Sequence, residues 1–249
     1  MCKTIGSTNA SGVAAIISSI AEDGLFFDIQ NIHAVDNQTA VFYGECLARL
    51  RDRQGKCRIA YEFIPALEKS GNIPAFDRRM LRKVLDRLEA DHDAILGCNL
   101  SAVTLMSDKN WLPVLELIQQ HQSLACRLVL DVTETSPFKR PGDTNSRLAD
   151  ARALGCRVAI DDFGAGYLSP LQLFSFDVDI IKLDAGMTWQ ASRGSGQLKS
   201  FRDFVSFAST FAPVVVAEGI GNERDFDNVQ IAGVTHVQGW HIAKPTTSI

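Results

Sequence analysis

The stretch RVAIDD at residues 157–162 places an apolar run directly before two adjacent aspartates. Three further runs have the same form: LVLDV at 128–132, DIIKL at 179–183 and VVVAE at 214–218. Nearly continuous apolar runs of this length are typical of parallel strands that helices cover on both faces. Longer stretches with helical periodicity lie between the runs, so the sequence predicts repeated strand–helix units.

These units indicate an α/β fold, a TIM-like (β/α)8 barrel. An open doubly wound sheet gives a similar pattern, but here polar side chains follow many strands in succession, and barrel active sites lie at that carboxyl-terminal face. The strand-like pair Leu25–Ile32 and Thr39–Arg49, joined by a turn-prone segment, predicts that one strand runs antiparallel. We expect residues 1–24 to form an N-terminal tail and first helix, and residues 25–249 to form one barrel domain.

Local patterns predict the remaining elements. Apolar runs predict strands at Ala94–Asn99, Arg127–Asp131, Arg157–Ile160, Asp179–Leu183, Val214–Ala217 and His236–Val237. Helical periodicity predicts helices at Gly12–Ala21, within Ile59–Leu88, and at Trp111–His121, Thr144–Leu154, Pro170–Phe174, Lys199–Phe211 and Arg224–Ala232. The segment SRGSGQ at Ser192–Gln197 is expected to be the most flexible interior loop.

The composition narrows the class of protein. With 249 residues, 46% of them apolar, the chain can bury a substantial core. The net charge of −4 argues against a general nucleic-acid binder, which is usually basic. The six cysteines are scattered without the spacing of a metal site, which favours a reducing compartment. No stretch predicts a signal peptide or a membrane span, so we expect a cytoplasmic protein.

Polar side chains stand at the carboxyl-terminal ends of seven predicted strands. Charged groups are costly at the end of a buried strand unless something there binds them. Carboxylates and amides supply the oxygen ligands of hard divalent cations, and a lysine among them suits a phosphate oxygen or an attacking water. The combination predicts divalent cations that act on a phosphate ester. The residues are Glu45, Asn99, Asp131, Asp161, Asp162, Lys182, Glu218 and Gln238.

Several of these residues also have a simpler interpretation. Asp161 and Asp162 fit a helix cap on the glycine-rich turn that follows them. Lys182, inside an apolar run, fits an internal salt bridge to Asp161 or Asp184. Gln238 taken singly fits a plain turn. The occurrence of such polar residues at successive strand ends argues against these interpretations.

The same residues belong to seven motifs whose order resembles the EAL domain, the bacterial phosphodiesterase that linearises cyclic di-GMP. The resemblance runs from about residue 25 to residue 245, nearly the whole chain. The motifs are ECLAR at 45–49, NLS at 99–101, DVTET at 131–135, DDFGAGY at 161–167, DIIKLD at 179–184, AEGI at 217–220 and QGW at 238–240, the last continuing to Pro245.

The resemblance implies two divalent cations, Mg²⁺ or Mn²⁺, and in-line attack of an activated water on one phosphodiester of cyclic di-GMP to give linear pGpG. Ligands of the first cation are matched by Glu45, Asn99, Asp131 and Asp161. Ligands of the second are matched by Asp161, Asp162 and Glu218. Further catalytic positions are matched by Lys182 and Gln238, which would orient the water, and by Glu134, which would hold the DDFG loop. Substrate contacts are matched by Gln30, Leu47, Arg49 and Asp184.

Four positions depart from the family's pattern. Asp131 stands where the family has glutamate, so its carboxylate must reach about an ångström further or the cation must shift, and small misplacements cost about 10²-fold in rate. Gly221 stands where the family's EGVE carries a second glutamate, for which Glu223 is a candidate replacement. Cys46 replaces the alanine of EAL, a small change in packing. Gln30 lies in IQNI, which matches the family's YQPI-like segment only with a one-residue insertion.

We therefore expect an active cyclic di-GMP phosphodiesterase whose rate Asp131 and Gly221 reduce. The main alternative is a receptor for cyclic di-GMP or a protein-interaction module, as in degenerate EAL domains. A barrel phosphodiesterase acting on another ester shares the cations but does not explain the order of the motifs. The resemblance also implies a homodimer through the helices next to the DDFG loop.

Overall fold

The computed structural model describes residues 10–133, 141–165 and 168–247. Strands and helices alternate along these residues. The strands are β1 Leu25–Ala34, β2 Val41–Arg51, β3 Cys57–Ile59, β4 Leu96–Ser101, β5 Leu128–Thr133, β6 Arg157–Phe163, β7 Ile180–Leu183, β8 Val214–Ala217, β9 His236–Val237 and β10 Thr246–Thr247. The helices are α1 Ala10–Ala21, α2 Ala60–Lys69, α3 Ile73–Ala90, α4 Asp108–Gln120, α5 Pro141–Ala153, α6 Pro170–Leu173, α7 Ala185–Ala191, α8 Ser195–Ala208 and α9 Glu223–Ala232.

Eight of the strands close into a barrel. Their order is β1, β2, β4, β5, β6, β7, β8 and β9, and β9 pairs with β1 to complete the circle. β1 runs antiparallel to both of its neighbours in the barrel, whereas the other neighbouring pairs are parallel. The prediction of a TIM-like (β/α)8 barrel with one antiparallel strand is therefore confirmed.

Helices cover the outside of the barrel and form the main hydrophobic core with the outward side chains of the strands. The longest helix, α3, buries Met80, Leu81 and Val84 on one face at the three- and four-residue spacing of an amphipathic helix. α1 packs against β2 and α2 and buries Ile16. The helical layer thus fixes the strands, and with them the side chains that point into the barrel.

The inward side chains form two layers, which we call the floor layer and the lip layer. The floor layer is fully buried and apolar apart from one tyrosine: Ile32, Tyr43, Val129, Ala159, Ile180 and Val216. Side chains alternate along a strand, so the residue two positions nearer the carboxyl-terminal face also points inward. Six residues of the lip layer stand in this relation to the floor, and Asn99 and Gln238 stand in the same relation to Gly97 and His236. The lip layer is Gln30, Glu45, Asn99, Asp131, Asp161, Lys182, Glu218 and Gln238.

Two local predictions differ from the structure. The segment Ser192–Gln197, predicted as a loop, contains the first turn of α8 from Ser195. α7 was not predicted, because it is only seven residues long and Gly186 interrupts its helical signal. The Asp184 carboxylate starts this helix by accepting a hydrogen bond of 2.9 Å from the backbone N–H of Gly186.

The structure also bears on the membrane and cysteine predictions. Over residues 10–133, 141–165 and 168–247, no helix is both long and apolar enough to cross a membrane. The cysteines in these ranges carry free thiols, and three of them, Cys46, Cys98 and Cys156, are buried. Burial raises the pKa of each of these three thiols, so they act as small apolar side chains of the core.

Candidate metal centre and active site

Lys182 of β7 lies at the centre of the lip layer and is fully buried. Its ammonium group, Nζ, lies 2.8 Å from Asp161 Oδ1 of β6 and 2.8 Å from Glu218 Oε1, which follows β8. A third carboxylate oxygen, Glu45 Oε2 of β2, lies 3.0 Å away. The salt bridge to Asp161 that the sequence left open is present, whereas Asp184 caps α7 instead. One positive charge therefore links three strands of the barrel.

Glu45 is the second organising residue of the site. Its Oε2 accepts hydrogen bonds from Lys182 Nζ and, at 2.7 Å, from Gln238 Nε2. Its Oε1 accepts a hydrogen bond of 2.8 Å from Asn99 Nδ2. These contacts join residues 54, 137 and 193 positions apart in sequence. The closed barrel brings together residues that the sequence could only place at separate strand ends.

A β-bulge in β6 turns both aspartates of the DDFG segment toward the site. The register with β7 shifts between Ile160 and Phe163, so Asp161 and Asp162 together face one residue of the neighbouring strand. Asp162 adopts a left-handed backbone conformation with φ of 53°, which is uncommon for a residue with a side chain. In a regular strand the two side chains would point to opposite faces. Here ligand oxygens of Asp161, Asp162 and Glu218 lie within 4.8 Å of one another.

Several buried oxygens of the lip layer have no hydrogen-bond partner among the described residues. They are Asn99 Oδ1, Asp131 Oδ2 and Gln238 Oε1. Buried polar atoms are normally paired, so unpaired acceptors on three side chains of the same layer indicate a missing electropositive ligand. Carboxylate and amide oxygens are the donors that Mg²⁺, Mn²⁺ and Ca²⁺ take. The residues present therefore fit divalent cations.

The lip layer also contains more acidic groups than its positive charge can balance. Burial raises the pKa of Asp131 to about 8, although the nearby Lys182 opposes the shift. Burial and the charge of Asp161 raise the pKa of Asp162 to about 6. Burial also places the pKa of Glu218 well above its usual range. The site thus retains protons near neutral pH, and a divalent cation would displace them, because cation ligands must be ionised.

The surroundings of Glu45 and Lys182 favour the charged form of each group. Burial raises the pKa of Glu45, but Lys182 and the hydrogen bonds from Asn99 and Gln238 bring it below its ordinary value. Burial lowers the pKa of Lys182, but the surrounding carboxylates outweigh it and hold that pKa well above the usual range. Lys182 is therefore a permanent hydrogen-bond donor and cannot serve as a base.

Two pockets flank the acidic centre and share Leu47, Asp161 and Asp162. The first, of about 620 Å³, lies beside Glu218 and Gln238 and is bordered by Trp189 and Trp240, which are 56% and 71% exposed. The second, of about 430 Å³, lies on the other side and is lined mainly by apolar residues of α2 and α3. The centre therefore opens to solvent with a cleft on either side.

The four predicted substrate contacts take different positions. Gln30 and Leu47 line the first pocket, and the Gln30 amide donates a hydrogen bond of 3.1 Å to Ala243 O. Arg49 lines the second pocket, where its Nε forms an ion pair of 2.7 Å with Asp28 Oδ2. Asp184 lines neither pocket, because its carboxylate caps α7. The structure thus brings three of the four to the clefts.

Two further predictions concern Glu134, which was expected to hold the DDFG loop, and the replacement of the glutamate missing at Gly221. Glu134 lies outside the described residues. Glu223, the candidate replacement for the glutamate missing at Gly221, lies on the surface with its carboxylate 3.0 Å from His241 Nε2. Gly221 itself lines the first pocket, and its N–H donates a 3.2 Å hydrogen bond to Asp225 Oδ2. That pocket lacks the second carboxylate that the family's motif places there.

Sequence reasoning missed two residues of the site. Tyr43 of the floor layer donates a hydrogen bond of 2.9 Å from its hydroxyl to Asp131 Oδ1. Its position two residues before Glu45 in β2 is the signal that could have placed it inside the barrel. Trp189 of α7 donates a hydrogen bond of 2.8 Å from Nε1 to Gly219 O and so borders the first pocket. No signal marked it, because α7 itself was not predicted.

Comparison with known proteins agrees with this geometry. The sequence model of the EAL domain family matches residues 14–245. The cyclic di-GMP phosphodiesterase PdeF of Escherichia coli is 25% identical over 207 residues, covering 82% of this chain and 28% of the relative. The probable cyclic di-GMP phosphodiesterase PdeG of the same species is 27% identical over 210 residues, covering 82% and 41%. The chain thus spans well under half the length of these two curated relatives.

Solved structures share the fold. A crystal structure of an EAL domain protein from Listeria monocytogenes has a TM-score of 0.83 at 18% identity and covers 94% of this chain and 93% of its own. The complex of the PaMucR phosphodiesterase with cyclic di-GMP has a TM-score of 0.80 at 23% identity and covers 95% of this chain and 97% of its own. At these identities the likeness establishes the fold alone. Because the family match spans nearly the whole sequence, this chain belongs to the EAL domain family.

Proposed function

We propose that this protein hydrolyses cyclic di-GMP to linear pGpG with two divalent cations, Mg²⁺ or Mn²⁺, and so lowers this second messenger in bacterial signalling. The observation that carries the proposal is the lip layer, where one lysine is surrounded by carboxylates and several buried oxygens have no hydrogen-bond partner within the described part of the chain. Relatives named as cyclic di-GMP phosphodiesterases support the choice of substrate.

The ligand sets follow from the resemblance to the EAL domain family. Glu45, Asn99, Asp131 and Asp161 would hold the first cation. Asp161, Asp162 and Glu218, whose oxygens lie within 4.8 Å of one another, would hold the second. When bound, two such cations supply electrophilic stabilisation of the attacking and leaving oxygens of a phosphodiester displacement.

The protein's own side chains then orient the water that attacks. Lys182 Nζ and Gln238 Nε2 both donate to Glu45 Oε2, which fixes the three groups relative to one another. Gln238 Oε1 has no partner among the described residues and is free to accept a proton of that water in a hydrogen bond. Because Lys182 keeps its proton, it donates to the water or to a phosphate oxygen and does not accept a proton from either.

The two pockets give a cyclic dinucleotide a place for each of its halves around one scissile phosphate. Leu47 lies between them and borders both. Arg49, held by Asp28, would meet a phosphate oxygen from the second pocket. Gln30 would contact a guanine edge from the first. Asp184 is not assigned a substrate contact, because its carboxylate is occupied at the start of α7.

The test is turnover of cyclic di-GMP to pGpG by the purified protein with Mg²⁺ or Mn²⁺, beside Glu45→Ala. We expect metal-dependent product from the wild type and at least about 10²-fold less from the variant, since Glu45 orients both the cation ligands and the water. Product that forms equally in EDTA, or equally with the variant, would reject the proposal.

A second candidate function is a cyclic di-GMP receptor without hydrolysis. The observation that favours it is the glycine at position 221, which supplies no carboxylate to the first pocket. Cyclic di-GMP that binds without forming pGpG in the same assay would favour the receptor. Protein that neither binds nor cleaves it would favour an interaction module.

We also propose a homodimer through the helices beside the DDFG loop. In α6 and directly after it, Leu171 and Phe174 expose 78% and 71% of their surface, more than such side chains usually show. Sedimentation of the wild type and of Leu171→Glu tests this: a dimer that the variant dissociates is expected, and a monomeric wild type would reject it.

A further inference from the structure

Tyr43 is the one polar member of the floor layer. Its ring is fully buried, and its neighbours in that layer are aliphatic side chains. A buried tyrosine hydroxyl needs a hydrogen-bond partner, because an unpaired one costs free energy that a phenylalanine of the same shape would avoid. The partner is Asp131 of the lip layer, whose Oδ1 accepts a hydrogen bond from the hydroxyl, with 2.9 Å between the two oxygens. The bond connects the two layers.

Because Gly97 of β4 has no side chain, the Tyr43 ring and the Asp131 carboxylate fit beside it. Gly97 faces Glu45 in the register between β2 and β4 and lies two residues before Asn99. A Cβ atom at Gly97 would lie 2.5 Å from Asp131 Oδ2 and 2.6 Å from Tyr43 Cε2. Distances this short are not tolerated between non-bonded atoms, so any other residue at position 97 would displace the tyrosine ring or the carboxylate.

We infer that Tyr43 is a positioning residue for the metal centre, and that it acts by fixing the orientation of Asp131. The inference rests on the proposed function of the lip layer as a divalent-cation site. With Oδ1 bound to the Tyr43 hydroxyl, Oδ2 is the oxygen of Asp131 that has no partner among the described residues. Asp131 would therefore bind a cation through one oxygen, in the orientation that Tyr43 sets.

This role explains how an aspartate serves at a position where a longer glutamate is expected. An aspartate carboxylate has two rotatable bonds, and a hydrogen bond from a buried ring to one of its oxygens restricts rotation about both. Partners behind a ligand that hold its orientation typically contribute about 10–100-fold to metal affinity. Without the Tyr43 hydroxyl, the carboxylate could rotate away from the cation.

The test is Mn²⁺ affinity, measured calorimetrically without substrate, for the wild type, Tyr43→Phe, Asp131→Asn and the double variant. We expect Tyr43→Phe to weaken binding about tenfold and Asp131→Asn to weaken it at least as much. The double variant should bind no more weakly than Asp131→Asn, because Tyr43 acts through that carboxylate. Tyr61→Phe, which removes the hydroxyl of an exposed tyrosine, should bind like the wild type.

A Tyr43→Phe variant with wild-type affinity would overturn the inference, and so would losses that simply add in the double variant, since additivity indicates independent packing. If Tyr43→Phe unfolds, Gly97→Ala keeps the hydroxyl and should still weaken Mn²⁺ binding by displacing the carboxylate. A wild type that binds no Mn²⁺ overturns the inference together with the proposed cation site. If the wild type and the variants show the expected Mn²⁺ affinities but the wild type forms no pGpG, the result supports the role of Tyr43 and rejects only the proposed hydrolysis.

Discussion

The floor layer and the lip layer are built by the same strands, two residues apart, yet they differ completely in chemistry. Val129, Ile180 and Val216 of the floor are followed two positions later by Asp131, Lys182 and Glu218 of the lip. The floor residues fill the barrel as any core does. The lip residues carry ionisable groups, although Asp131 and Lys182 are as fully buried as the floor and the Glu218 side chain is only 15% exposed. Position along the strand, rather than burial, decides which residues serve the barrel and which serve the site.

The difference shows what holds each layer in place. Apart from Tyr43, the floor layer is stabilised by packing of apolar side chains that need no partner outside the layer. The lip layer is held by one lysine against several carboxylates, and it keeps unpaired oxygens. Such a cluster is a costly arrangement for stability alone. This cost is in keeping with the cation site that we propose for the lip layer.

The sharpest way to test this difference is to remove the lysine. Lys182→Met should lower the free energy of unfolding of the metal-free protein by about 4 kcal/mol at neutral pH, because it leaves buried carboxylates uncompensated. Saturating Mn²⁺ should restore part of that loss, since cations would replace the missing charge. Urea unfolding in EDTA and in Mn²⁺ measures both effects.

Lys199→Met is the matched control. Lys199 pairs with Asp203 on the surface of α8, where an ion pair contributes little. Equal losses of unfolding free energy in the two variants would show that the buried ion pairs of Lys182 contribute no more to stability than a surface pair does.

A variant of the floor layer should lose stability but keep its Mn²⁺ affinity. Ile180→Ala removes a fully buried side chain two residues before Lys182 and should cost about 3 kcal/mol of stability. Its Mn²⁺ affinity should stay within about threefold of the wild type, because the floor supplies no ligand. Urea unfolding and calorimetry on the same preparation check both. A large loss of Mn²⁺ affinity with this variant would mean that the two layers cannot be separated.

Asp77 of α3 sharpens the comparison, because it is a buried acid outside the lip layer. Its Oδ2 accepts hydrogen bonds from Thr104 Oγ1 at 2.5 Å and from the N–H of Ser101 at 3.0 Å. Burial raises its pKa to about 7 in the folded state. The unfolded chain loses this proton near its ordinary value of 3.8, so stability falls as the pH rises from about 4 to 7.

Asp77→Asn removes this titration and keeps an acceptor for Thr104 and Ser101. The stability of the variant relative to the wild type should therefore rise by about 2 kcal/mol between pH 5 and pH 7. Urea unfolding of both proteins at the two pH values measures the change. A difference that does not depend on pH would show that Asp77 ionises normally in the folded protein.

The smallest expected effect is a gain. Gly221 borders the first pocket, and a Cβ atom placed there would meet Asp225 Oδ2 at 3.4 Å, an ordinary contact. Gly221→Glu should therefore fit and add a carboxylate to the site, raising Mn²⁺ affinity about tenfold, because ligand charge tunes affinity. Gly142→Glu, in open space at the start of α5, adds the same charge elsewhere and should change nothing. Calorimetry that finds equal affinities for the two variants would contradict this role.

Much of this architecture could be predicted from the sequence, because parallel strands and their carboxyl ends leave strong local signals. The runs before Asp131, Asp161 and Lys182 marked both the strands and the face of the barrel that carries the site. The strand-like pair that forms β1 and β2 predicted the antiparallel strand. These features depend on residues that are neighbours in the sequence.

The remaining features depend on residues that are distant in the sequence or on backbone geometry. The bond between Tyr43 and Asp131 joins positions 88 residues apart, and nothing local in either strand indicates the pairing. The left-handed conformation of Asp162 results from the bulge in β6, which an apolar run does not reveal. The failure of Glu223 to replace the missing carboxylate became evident only from its pairing with His241.

The most direct measurement is anomalous diffraction from a crystal of the wild type grown with Mn²⁺. The account predicts two peaks in the lip layer, one among Glu45, Asn99, Asp131 and Asp161, and one among Asp161, Asp162 and Glu218. Asp131 should reach the first peak through Oδ2 while Oδ1 stays bound to Tyr43. A lip layer without a peak at saturating Mn²⁺, with Lys182 still holding its three carboxylates, would contradict the claim that this end of the barrel is a cation centre.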